Sequence, residues 1–394
     1  MSRKVAITGM GILSAIGKNV IENYQSILNG NHGLSKPEIL STRHKNLSVG
    51  EIKLTNDELA ESIGLPKKHT FTRAALLGVL ALKECVQNAK IHDFSNIGFV
   101  NGTSVGGMDM TERFYREYEN DKTNRRFIQA QHPGFTTEQI ASFFGINGYV
   151  STISTACSSA ANAIMMGARM IASGQLDRVI VGGTDCLSKF TLNGFNSLLI
   201  YSESNPKPFD RDRNGLNLGE AAAYLVLEAK DTIKDKPILG YVAGYGNAND
   251  AFHQTASSDN GEGAYLAMQK ALRSANLNSY KIDYINAHGT ATQNNDLSES
   301  KALLRTFKEI PSFSSTKGFT GHTLAAAGGI EAVFSLLALK NQQLLPNLNF
   351  KNAIEETKLY PVTTVKDAKI EYVLSNSFGF GGNCTSLIFS KNGL

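Results

Sequence analysis

Short β-branched runs alternate with long Ala/Leu/Met-rich stretches along most of this chain. The β-branched runs predict strands at 4–8, 97–101, 150–154, 178–181, 222–228, 238–245, 284–286, 312–315, 372–376 and 385–389. The stretches 73–88, 158–173, 262–275 and 325–339 carry the pattern of buried helices. Strands alternating with helices predict an α/β fold with mostly parallel sheets. Gly9 is expected to close the first strand. No Pro- or Ser-rich linker divides the chain, and the charged stretch 230–237 is the best boundary, giving halves 1–236 and 237–394. A faint repeat crosses that boundary. A strand followed by Gly-Met-Gly within 4–17 echoes a strand followed by Gly-Tyr-Gly within 238–249. Strands 150–154 and 312–315 each run through a turn into an Ala-rich helix. A duplicated half with a site where the halves meet is the simplest reading.

Composition narrows the function classes. With 394 residues, 42% of them hydrophobic and 19% charged, the chain can bury two cores. The net charge is only +4 and no basic run is present, so nucleic acid is not an expected partner. No long apolar run predicts stable membrane insertion. The N-terminus begins like the charged region of a signal peptide, but its apolar run breaks at Thr8 and Gly9 and reads as a strand. Cys85, Cys157, Cys186 and Cys384 have no metal-ligand spacing and are too sparse for a disulfide framework, which fits a reducing cytoplasm.

The candidate chemistry centres on one thiol and two imidazoles. Cys157 lies in Ser-Thr-Ala-Cys-Ser-Ser-Ala, between a strand and an Ala-rich helix. A place near a helix N-terminus predicts a stabilised thiolate, and the alternative is a buried packing cysteine. His288 in Ala-His-Gly-Thr and His322 in Thr-Gly-His-Thr each follow a predicted strand. They are either hydrogen-bonded turn residues or paired donors to an enolate oxygen. Lys317 is placed to orient His322. Glu331, on the next helix, either pairs with Lys317 or forms a surface salt bridge. The glycines around Phe380, within 376–383, imply unusual backbone angles and an N–H that joins that of Cys157 at one oxyanion, or a plain hairpin.

Five motifs together resemble the β-ketoacyl-acyl-carrier-protein synthases, in the Cys-His-His elongating branch of the thiolase superfamily. They are Thr155-Ala156-Cys157-Ser158-Ser159, His288-Gly289-Thr290 with Asn295-Asp296, Ser315-Thr316-Lys317 with Thr320-Gly321-His322, Pro208-Phe209-Asp210 with Leu218-Gly219-Glu220, and 376–382. The resemblance spans essentially the whole chain. It implies a thiolase-like five-layered α-β-α-β-α fold from two duplicated halves. It implies a homodimer, or a heterodimer with a ketosynthase-like partner. The implied activity is an acyltransferase that elongates an acyl chain held on Cys157 with malonyl carrier protein. In that scheme His288 and His322 support decarboxylation, and Lys317 and Glu331 order the site. Thr290 and Thr292 contact the phosphopantetheine arm, Phe380 gates the second substrate, and Val105 lines the acyl pocket. Lys67, Lys68, Lys207, Arg211 or Arg213 would attract an acidic acyl carrier protein. No metal or redox cofactor is implied, since phosphopantetheine arrives on the carrier.

Three positions depart from the family pattern. Asn383-Cys384 stands where Thr-Asn is usual, Ala221-Ala222-Ala223 follows Glu220 in place of Gly-Ala-Gly, and Tyr149 stands where Pro is common. These departures leave room for a specialised pathway such as aryl polyene or other polyketide synthesis. A coenzyme A thiolase would carry a cysteine before the last glycine pair rather than Cys384 after it. A non-catalytic chain-length partner would lack Cys157, and an initiating synthase would carry Asn in place of His322.

Overall fold

A computed structural model describes residues 3–393. Ten strands build its main sheet: β1 Val5–Ser14, β2 Gly98–Gly102, β3 Val150–Ile153, β4 Arg178–Asp185, β5 Ala221–Ala229, β6 Gly240–Asn249, β7 Tyr284–Asn286, β8 Ser312–Ser314, β9 Tyr372–Phe378 and β10 Asn383–Ser390. Neighbours run β3-β2-β4-β5-β1 and then β6-β10-β9-β7-β8. Adding five to each label of the first set reproduces the order of the second from its outer edge inward. The two sets meet where Ala6 faces Tyr241 and Ile7 faces Gly240.

The sheet is mixed rather than mostly parallel. Only β2 with β3 and β4, and β7 with β8 and β9, are parallel. The strands nearest the junction return antiparallel, because β10 follows β9 through a short turn that cannot make a crossover.

Six helices matter for the site: α1 Arg73–Asn88, α2 Ser159–Ala172, α3 Lys189–Ser197, α4 Glu262–Ser274, α5 Gln293–Thr306 and α6 Ala327–Asn341. Helices α2 and α6 pack against each other between the two strand sets, α1 covers the outer face of the first set, and α4 that of the second. This is the five-layered α-β-α-β-α order. A central layer has apolar neighbours on both sides, so α6 buries every residue from Ala327 to Leu339. The window Leu324–Asn341 is long and apolar enough to pass for a membrane span, yet 89% of it is buried inside the protein.

Gly9 does not end β1. The strand continues to Ser14 with a register shift between Ile7 and Gly9, and its glycines serve helix packing instead. A Cβ on Gly11 would lie 2.1 Å from the carbonyl oxygen of Ala81 in α1. Gly246 on β6 repeats the device, 2.1 Å from the carbonyl oxygen of Ala267 in α4. The Gly-x-Gly echo in the sequence therefore marks where an outer helix lies directly on a strand.

Candidate active site

The turn between β3 and α2 places Cys157. Ala156 takes a left-handed conformation (φ 51°), which turns the chain sharply ahead of the helix. The Ser158 N–H donates to the Thr155 carbonyl (3.3 Å) and the Ser159 N–H to that of Ala156 (3.1 Å). Ser158 is the cap residue of α2, so Cys157 sits one position before it, buried to 5% exposure. The expected thiolate is not favoured at rest. Burial pushes the thiol up to about 11, against the opposing pull of Lys317 and of the Phe380 backbone N–H bonded to the sulfur. Loss of water around the sulfur outweighs the helix end.

The two histidines come from the second half. His288 follows β7 and His322 follows β8; their ring centroids are 5.4 Å apart and their planes stand at 89°. The Leu324 N–H donates to His322 Nδ1 (3.0 Å), so the His322 proton resides on Nε2. Lys317 Nζ lies 3.3 Å from His288 Nδ1 and donates to the His288 carbonyl (2.5 Å), which places that ring's proton on Nε2 as well. Lys317 thus orients His288, not His322 as the sequence spacing predicts. The fold brings the lysine under the β7 turn, while the backbone next to His322 secures its own ring. Burial first, then Lys317, holds both imidazoles below their ordinary value, His322 at about 3 and His288 well below 6.5. Both are neutral donors. Glu331 forms a buried ion pair with Lys317, not a surface one, and burial raises its carboxyl to about 6.

Two buried carboxylates on α5 shape the His288 turn. Glu299 accepts from the N–H groups of His288 (2.9 Å) and Gly289 (2.8 Å), and from Asn376 (3.1 Å). Asp296 accepts from the N–H groups of Phe209 (2.7 Å) and Ala291 (3.1 Å). Asp185, at the end of β4, does the same for the opposite wall, accepting from Thr103 (2.7 Å), Ser104 (2.6 Å) and the Ala325 N–H (3.0 Å). Sequence reasoning missed Glu299 and Asp185. The available signal was α5 itself, a helix whose first two turns bury Asp296, Ser298, Glu299 and Ser300 ahead of Ala302 and Leu303.

Cys157 lies on the wall shared by two cavities. The histidine-lined one, about 390 Å³, is bounded by His288, His322, Thr290, Thr292, Phe378 and Cys384 among others. The apolar one, about 370 Å³, is lined by Val105, Ala156, Phe190, Gly194, Leu198 and Leu324 among others, and opens to the surface at Phe190 and Leu198. Phe195 and Phe380 belong to both, with rings stacked at 5.4 Å and 16°. Cys157, His288, His322, Phe380, Thr290, Thr292 and Val105 therefore line these adjoining cavities, with Lys317 and Glu331 behind His288.

The cationic residues are less united. Arg213 is buried and donates to the carbonyls of Asp210, Thr292 and Gln293, so it braces the loop and offers no charge to a partner. Arg211 is half-exposed and borders the mouth beside Gln293 and Asn294. Lys67 and Lys68 are exposed between residues 56–62 and α1, Lys207 is half-buried, and none of the three lines the histidine-lined cavity.

A thiol on the wall between an apolar cavity and a histidine-lined one, faced by two neutral imidazole donors, defines a thiolase-type condensing site. The chain belongs to the β-ketoacyl synthase family: residues 2–232 match its N-terminal domain and residues 239–351 its C-terminal domain. It is 33% identical to the 3-oxoacyl-[acyl-carrier-protein] synthase 2 of Staphylococcus aureus across 99% of each chain, and 32% identical to that of Vibrio cholerae, also across 99% of each. Among solved structures it resembles a ketosynthase in complex with its chain length factor from Xenorhabdus doucetiae (31% identity, 98% of each chain, TM-score 0.85). It also resembles the ishigamide ketosynthase/chain length factor (26% identity, 100% of each chain, TM-score 0.93). The chain is an acyl-transferring condensing enzyme of thiolase-like fold.

Proposed function

We propose that this enzyme elongates an acyl chain on Cys157 with a malonyl unit, both delivered as carrier-protein thioesters. The observation that carries the reading is the position of Cys157 between the two cavities. An acyl-pantetheine thioester enters by the histidine-lined cavity and its chain lies in the apolar one. The Cys157 sulfur attacks the thioester carbon, the carbon–sulfur bond to pantetheine breaks, and the cysteine proton leaves with the pantetheine thiol. The N–H groups of Cys157 and Phe380 take the oxyanion of this step. Attack on the carbonyl carbon is thus coupled to proton loss from a thiol that is protonated at rest.

The malonyl thioester then occupies the histidine-lined cavity. Its carbonyl oxygen accepts from Nε2–H of His288 and of His322, so charge released as carbon dioxide departs collects between two donors. The resulting carbanion attacks the acyl carbon on Cys157, and the sulfur leaves as thiolate and regains its proton from solvent water. Neutral rings suit this role, because they donate without holding the carboxylate in place as an imidazolium would. Thr290 and Thr292 stand along the arm, and the Phe195–Phe380 stack parts to admit the second substrate. No step needs a metal or redox cofactor, because the electron pair comes from the broken carbon–carboxylate bond.

An acyl carrier protein is the proposed donor, in the cytoplasm, for fatty acid or specialised polyene synthesis. The proposed halves are 1–236 and 237–394. The proposed oligomer is a dimer with a second thiolase-like chain, identical or a chain-length partner. The exposed edge at β3, where Tyr149 and Val150 are more than a third exposed, supports pairing there.

His322→Ala and His288→Ala test the division of labour. Each is expected to slow malonyl decarboxylation about 10²–10³-fold while retaining most acylation of Cys157. Acylation lost with decarboxylation intact would reverse the assignment.

A further inference from the structure

Asn383 is the departure from the family pattern that the fold puts to use. Its backbone carbonyl accepts from the Gly379 N–H (2.8 Å) and so closes the loop that carries Phe380. Its side-chain oxygen accepts from Ser158 Oγ (2.8 Å) and Asn162 Nδ2 (2.8 Å) on the nucleophile turn and α2, and from Asn247 Nδ2 (2.9 Å) on β6. Asn162 in turn donates to Thr155 Oγ1 (2.9 Å), two residues before Cys157. The two loops are in direct contact: a Cβ on Gly379 would lie 2.7 Å from the Thr155 carbonyl oxygen and 3.2 Å from the Cys157 nitrogen.

We infer that Asn383 is a positioning residue, which sets the spacing of the Cys157 and Phe380 N–H groups by tying their two loops together. Those N–H groups come from opposite halves of the chain, so nothing in either half alone fixes their separation. The Asn383 carboxamide reaches α2 and β6 at once, and Asn162 passes the constraint to Thr155. Oxyanion donors work only when held close to the developing charge, and a displacement of about 1 Å costs on the order of 100-fold in rate. The histidine pair is built from β7, β8 and Lys317, outside this network. Acylation of Cys157 should therefore depend on Asn383, and malonyl decarboxylation should not.

This inference rests on the condensing function proposed above, and the two can be told apart. The full-length chain and its Asn383→Ala and Asn383→Thr variants are each mixed with an acyl-pantetheine thioester, and single-turnover acylation is followed by intact mass. Decarboxylation of malonyl-pantetheine is followed by carbon dioxide release. Asn383→Ala is expected to acylate at least about ten-fold more slowly and to decarboxylate within about two-fold of wild type. Asn383→Thr keeps an oxygen for Ser158 but is too short to span to Asn247, and falls between; if Asn383→Ala does not fold, this variant shows the same split. Wild-type acylation rates in both variants, or equal losses in the two half-reactions, overturn the positioning role. A wild-type chain that never acylates overturns the condensing reading itself.

Discussion

Cys157 works against its surroundings. Burial holds it protonated, to about 11, and the Phe380 N–H only partly offsets this. Alkylation by iodoacetamide, which needs the thiolate, is thus expected to rise about ten-fold per pH unit from pH 6 to 9 with no plateau. Peptide mapping should find Cys157 labelled before Cys85 and Cys186, which are fully buried. A plateau near neutral pH would show a stabilised thiolate instead. The histidines set a second pH dependence. An unfolded chain takes up their protons below the ordinary 6.5, while folded His322 resists to about 3. Their contribution is present above pH 6.5 and is lost as pH falls, by about 1.4 kcal/mol per unit for each ring. Glu299 and Glu331, raised by burial to about 7 and about 6, act in the opposite sense down to their ordinary 4.5, because the folded state protonates them first. Asp109, raised by burial to about 6, adds to the carboxyl side, so the melting temperature should fall much less between pH 6.5 and 4.5 than the two rings alone would dictate. A decline over that range as steep as the rings alone dictate would contradict these values.

At the scale of elements, the repeat resides in how helices sit on strands. Gly11 and Gly246 are equivalent positions in the two halves, each pressed against a helix carbonyl. Gly246→Val must push α4 off β6, and a loss of about 1–3 kcal/mol is expected from overpacking. Urea denaturation would check it, and an unchanged midpoint would mean that α4 moves freely. The Gly-x-Gly echo was visible in the sequence, but its meaning was not: a glycine that ends a strand and one that admits a helix read alike until the partner is known. The helices with apolar cores, α1, α2, α4 and α6, were legible within a few residues, because burial on one or both sides imposes apolar content. Helix α5 was not, since it buries Asp296 and Glu299 to hold the His288 turn. The site's identity was legible because Cys157, His288 and His322 sit in small-residue turns. Which ring Lys317 touches was not, because it depends on how β7 and β8 lie side by side.

For the whole molecule, two halves supply one site. The thiol comes from β3 and α2, the imidazoles from β7 and β8, and the Phe380 loop bridges them. The residues lining the mouth include no lysine or arginine, so attraction of an acidic carrier must come from its margins. Arg211 is an exposed cation beside Gln293 and Asn294 of the rim, paired with Asp212 and Glu355, while Arg213 is bound up in loop carbonyls. Arg211→Glu should raise KM for acyl carrier protein and weaken its salt dependence, leaving turnover of a small pantetheine thioester unchanged. Equal loss on both substrates would place Arg211 in the fold's support. The most direct test of the account is mass analysis of the acyl-enzyme. After incubation with an acyl-carrier-protein thioester, the peptide holding Cys157 should gain one acyl group. Addition of malonyl carrier protein should discharge it, with carbon dioxide released and a β-ketoacyl product two carbons longer. An acyl group on Cys384, or one on Cys157 that malonyl carrier protein leaves in place, would contradict the account.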